Sequence, residues 1–138
     1  MFKKITTVII ATACLCAVWF VNNRPLFSTM ATRFEVYATS NGSDGVIYDV
    51  CKDEYPLISL KYGEACVLPL EERLEERLLS TFNAKVVFCE NTQFGKSIYA
   101  FSPDVKYSKQ IKGLKVNLQI FIGESNVKIG SPLIYGSY

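Results

Sequence analysis

The spacing of hydrophobic and polar positions changes several times along the chain, and each change predicts a different element. Residues 5–21 (ITTVIIATACLCAVWFV) show no period, only 17 consecutive uncharged residues, the lower limit for a membrane-spanning helix of roughly 17–25. Residues 33–39 alternate instead: Phe34, Val36 and Ala38 fall on one face, Glu35, Tyr37 and Thr39 on the other. That is the pattern of a half-buried strand. Residues 40–45 (SNGSDG) are rich in types that accept positive φ and read as a turn. Residues 46–50 form the returning strand, ended by the break at 52–56. Residues 57–60 and 65–68 are shorter strand candidates around Tyr62-Gly63-Glu64.

The period then lengthens. Leu70, Leu74, Leu78 and Phe82 recur at four-residue steps, with Leu79 widening the stripe. Pro69 suits a first helical position and Glu71 and Glu72 a first turn, so the helix is expected over 69–82. Strands follow at 85–90, 96–101, near 105–111, at 114–122 and at 127–129. The fourth is the longest: Leu114, Val116, Leu118, Ile120 and Ile122 alternate with Lys115, Asn117, Gln119 and Phe121. Short turns make neighbours antiparallel. The expected fold is α+β: an N-terminal transmembrane or signal helix, then a twisted antiparallel sheet with one amphipathic helix packed on one face. The other face is expected to be wet. Tyr37, Tyr99, Phe101 and Phe121 take outward phases there, an aromatic binding surface unless a loop covers them.

Three segments result: a membrane anchor or signal at 1–24, a short tether at 25–32 and an extracytoplasmic domain at 33–138. Lys3 and Lys4 bias the N-terminus to stay cytoplasmic, so the domain is expected outside a cell membrane, on a single pass through residues 5–21. Secretion after cleavage in Ser28-Thr29-Met30-Ala31 is the alternative. A lipoprotein signal at Cys14 fits less well, because Leu15, Ala17, Val18, Trp19 and Phe20 after it are apolar.

Charge narrows the partners. Beyond residue 24 the chain holds 12 basic and 13 acidic side chains, so no nucleic-acid partner is expected. Residues 25–94 are acidic and residues 95–138 basic. In the basic part Lys106, Lys109, Lys112 and Lys115 form a lysine-rich hairpin, a candidate binder of an anionic surface or ligand. The catalytic inventory is thin. The chain has no His, which removes Ser-His-Asp and Cys-His machinery, and neither a GxxxxGK[ST] nor a GxGxxG motif occurs. No catalytic residue, metal site or cofactor is expected. Cys51, Cys66 and Cys89 lie outside the apolar segment. Cys51–Cys66 is the expected bridge on short separation alone, and all three equally suit small buried positions. Glu71, Glu72, Glu75 and Glu76 read as a solvated helix surface beside Arg73 and Arg77.

Residues 115–120 (KVNLQI) and 127–134 (VKIGSPLI), ending near Tyr138, resemble the end of the YwmB-like proteins. That resemblance spans about 25 residues and the general layout. It implies a secreted or anchored envelope protein of a spore-forming bacterium with a TATA-box-binding-like α+β fold. It brings no catalytic residue, and fold does not fix function. The function expected is therefore a non-catalytic domain that binds another envelope protein. An envelope enzyme using a free Cys or Glu side chain, or a lysine-mediated anion binder, is the alternative.

Overall fold

The computed structural model describes residues 1–22, 24–40, 43–52 and 61–135. Helix α1 (Phe2–Asn22) is followed by strands β1 (Arg33–Ser40), β2 (Ser43–Cys51) and β3 (Lys61–Pro69), then helix α2 (Leu74–Thr81). Strands β4 (Lys85–Thr92), β5 (Gly95–Phe101), β6 (Lys109–Ile111), β7 (Leu114–Val116), β8 (Leu118–Ile122) and β9 (Asn126–Ser131) complete the order. Of the turn expected over 40–45, Ser40 belongs to β1 and residues 43–45 to β2, while Asn41-Gly42, the break at 53–56, the strand candidate at 57–60 and Tyr138 lie outside the described residues.

Seven strands form one antiparallel sheet in the order β2-β1-β3-β9-β8-β5-β4, and β6 and β7 pair apart from it. Alternation decides which side chains meet. Register couples Cys66 to Ile129 and Leu68 to Val127 across β3 and β9, and Ile120 to Ile129 and Ile98 to Ile120 beyond. These join Phe34, Val36, Leu118 and Ala100 in one buried layer, closed by Leu74, Leu78 and Phe82 of the α2 stripe. The chain is thus α+β with an antiparallel sheet and an amphipathic helix on one face, as expected.

Four expectations are corrected. Helix α2 begins at Leu74, not residue 69. Pro69 instead ends β3 opposite Asn126, since proline's fixed φ serves a strand end as well as a helix start and holds Leu68 extended. Strand β3 runs through Tyr62-Gly63-Glu64 without a turn. The expected strand at 114–122 breaks at Asn117, where the chain leaves the β6–β7 hairpin for the main sheet. Residues 25–32 are not a free tether. Phe27 is fully buried and packs edge-on against Phe82, with centroids 5.5 Å apart. Turn bonds from Met30 N–H (2.9 Å) and Ala31 N–H (3.1 Å) to the Phe27 carbonyl hold it there.

Helix α1 differs from α2. Every described side chain from residue 3 to 19 is exposed, including Ile5, Val8, Ile9, Ile10, Leu15, Val18 and Trp19. Among the described residues no helix is long and apolar enough to cross a membrane. The described residues thus do not support the expected span at 5–21.

Candidate functional site

The sheet face opposite α2 gathers nearly all the side chains that the sequence singles out. Its rows are set by register. Glu35, Ala65, Gly130, Gln119, Tyr99 and Phe88 lie in one line across six strands, and Val67, Lys128, Phe121, Ser97 and Glu90 in the next. At its centre Lys128 Nζ meets Glu35 Oε1 at 2.8 Å, with the lysine side chain only 5% exposed. Tyr37 donates from its hydroxyl to Glu35 Oε2 at 3.1 Å. Burial, with Glu35 beside it, holds the Tyr37 phenol above its ordinary pKa.

The four aromatics singled out on this face are not wet, although Val67 and Ile47 beside them are exposed. Tyr37 and Phe121 are buried, and Tyr99 and Phe101 are half-buried. Two segments that the sequence pattern does not flag as covers lie over it. One is the chain after β9: Ile134 N–H donates to Gln119 Oε1 at 3.0 Å, and the Tyr135 ring packs edge-on against Tyr37 (5.0 Å) and Tyr62 (5.4 Å). The other is the β6–β7 hairpin. Lys109 Nζ stands 4.9 Å from the Tyr135 ring, Lys112 Nζ 5.3 Å from Phe88 and Lys115 Nζ 5.3 Å from Phe101. Lys112 also pairs with Glu90, and that hydrogen bond holds the Glu90 carboxyl below the usual range. The aromatic surface and the lysine hairpin therefore meet, with Lys109, Lys112 and Lys115 each resting on an aromatic ring. Lys106 is exposed on the connector before β6. Beneath the hairpin Phe88 stacks on Tyr99 at 4.4 Å, the two planes 18° apart.

Asn117 makes this arrangement possible, and the sequence pattern places it wrongly, at a wet position. It is buried, accepts from Ser102 N–H at 2.8 Å and donates to the carbonyls of Ser102 (2.6 Å) and Val105 (3.0 Å). These bonds pin the connector after β5 and let the hairpin fold over. Nothing in the alternation marks it, because Asn117 falls in the regular polar phase of the longest run.

The five cysteines are free. Cys51 and Cys66 do not bridge, because β1 lies between their strands. Two strand spacings of about 4.8 Å exceed the reach of a disulfide, about 7 Å between Cα atoms. Cys66 sits in the core, where burial, then Glu64 and Glu35, push its thiol up to about 12. That opposes thiolate chemistry near neutral pH. Of the carboxylates at and before α2, Glu71 and Glu76 are exposed and Glu75 half-buried, and these three pair with cations: Arg73–Glu76 and Arg77–Glu71 at 2.7 Å, Lys96–Glu75 at 3.3 Å. An open groove of about 840 Å³ is lined by Met30, Phe34, Ile47, Asp49, Lys52 and Val67 among others. Of its carboxylates, Glu35 is tied to Lys128 and Asp49 to Arg33 at 2.8 Å. Among the described residues no cluster of three His, Cys, Asp or Glu side chains is arranged to hold a metal.

Comparison with family models, with curated proteins and with solved structures returns no match.

Proposed function

We propose that the protein is a membrane-attached, outward-facing envelope domain that binds another envelope protein and performs no catalysis. The observation that carries this reading is helix α1, whose described side chains are all exposed although most are apolar. A helix apolar on every side needs a cover, and lipid suits one flanked by Lys3 and Lys4 on one side and Asn22 and Arg24 on the other. The lysine pair favours a cytoplasmic N-terminus and a domain outside. The likeness of residues 115–120 and 127–134 to the YwmB-like proteins supports the same compartment. With the hairpin covering one face and α2 the other, a sheet edge is the better partner surface. Strand β4 lies at an edge and exposes Val86 and Cys89. An added strand could pair with its outer backbone groups.

The test is membrane fractionation of expressing bacteria with an alkaline wash, combined with a membrane-impermeant maleimide on intact cells. The protein should stay with the washed membrane and Cys89 should label without lysis. Recovery in the soluble fraction, or labelling only after lysis, would overturn the reading.

A further inference from the structure

We infer that the N-terminal helix is kept in the mature protein, because the stretch at which a leader would be cut is built into the domain core. The inference sharpens the membrane reading above and rests on it only for what the retained helix does.

The decisive group is Glu64. It is 2% exposed, on β3, facing the α2 layer. A carboxylate there needs partners, and its partners include three donors. Leu26 N–H donates to Oε1, Phe27 N–H donates to the same oxygen at 3.2 Å, and Lys61 Nζ meets Oε2 at 3.2 Å. Two of the three come from the backbone just ahead of Ser28-Thr29-Met30-Ala31, the small-residue stretch that follows the apolar run. Phe27 itself fills the space against Phe82. A cut anywhere in 28–31 removes Leu26 and Phe27 together. It takes two backbone donors away from a buried carboxylate and leaves an open hole over the sheet. The timing of the cut does not matter: a chain trimmed before folding lacks the same groups as one trimmed after. The latch also lies close to the helix, with three residues between Asn22 at the end of α1 and Leu26, a span of about 14 Å at full extension. Anchor and core are thus consecutive, with no spacer that processing could consume.

The test has two parts. The full chain, carrying a C-terminal tag, is made in bacteria with active signal peptidase, and its intact mass is measured after detergent extraction. The full-length mass is expected. A mature start at Cys14 or between residues 29 and 32 overturns the inference. A full-length mass in the soluble fraction would remove the membrane reading and leave this one standing. In the second part, Phe27→Ala, Glu64→Ala and Thr29→Ala versions of the full chain are unfolded in detergent. The first two should shift the midpoint clearly downward and Thr29→Ala should not. Three midpoints equal to the parent's would show that the segment does not belong to the core and would overturn the inference even with an intact mass.

Discussion

At the scale of single residues, the buried polar groups set the shape of the molecule more than the apolar ones do. Asn117 satisfies one N–H and two carbonyls of the connector after β5. Replacing it with Ala strands all three in a buried place, at a cost of about 2 kcal/mol. Urea unfolding of the Asn117→Ala chain should show that loss without a change in slope. Asn117→Asp should cost more, since the atom facing the two carbonyls would change from donor to acceptor. The Cys66 thiol gives a pH prediction. Its folded value near 12 lies above the ordinary value of 9.0, so the folded state holds its proton more tightly than the unfolded one. Its contribution to stability is complete below about pH 9 and is lost as pH rises towards the folded value. The unfolding midpoint of the wild type should therefore fall above pH 9 more steeply than that of Cys66→Ala. Parallel profiles would show that Cys66 does not control this window. In the folded protein at pH 8, Cys89 should react with a thiol reagent well before Cys66.

At the scale of elements, the β6–β7 hairpin stands apart from the main sheet. Its strands are three residues each and pair only with one another in the sheet. Lys112 and Gly113 at the tip take positive φ (52° and 76°), the geometry of a tight two-residue hairpin turn. Beside the fully buried Val116, its hold on the face below includes lysines over rings and the exposed Lys112–Glu90 pair, contacts that salt and solvent weaken. Lys112→Ala should leave the global unfolding midpoint nearly unchanged. It should let the Glu90 carboxyl titrate higher, back towards its ordinary range, as followed by carbon-detected NMR. Amide exchange should quicken in 109–116 and not in β8. An unchanged Glu90 titration would mean that Lys112 does not hold it. The same hairpin marks how far the sequence could be read. Alternation predicted the strand at 114–122 and placed Phe121 on the side away from α2, both from local pattern. It could not show that three of those residues turn away at Asn117, because period alone carries no information about what a face will meet. Tyr37 and Phe121 were assigned the correct side and the wrong exposure for that reason. The helix start was missed for a related one: Pro69 satisfies a strand end and a helix start equally, and pairing with Asn126 decides between them. Phe27 could not be recognised as core because its partner Phe82 lies far along the chain and no periodic neighbour announces it.

At the scale of the whole molecule, two parts bury apolar surface in opposite ways. The domain covers much of its sheet on both sides, by α2 with Phe27 on one face and by the hairpin and residues 131–135 on part of the other. Helix α1 leaves its apolar side chains outside: Ile9 is 62% exposed and Leu15 70%. The hydrophobic driving force is roughly 25 cal/mol for each Å² removed from water, so a helix bare on all sides drives association with whatever is available. In detergent or lipid vesicles the full chain should therefore be dispersed, and in plain buffer it should self-associate through α1 while the domain stays folded. Sedimentation velocity measures the first difference, and near-ultraviolet circular dichroism, sensitive to the packed Tyr37, Tyr62 and Tyr135 rings, checks the second. Ile9→Lys combined with Leu15→Lys should make the chain monomeric in buffer and release it from vesicles, without changing that spectrum. A full chain that is already monomeric in buffer would mean that α1 finds its cover within the molecule, and membrane attachment would then lose its physical basis.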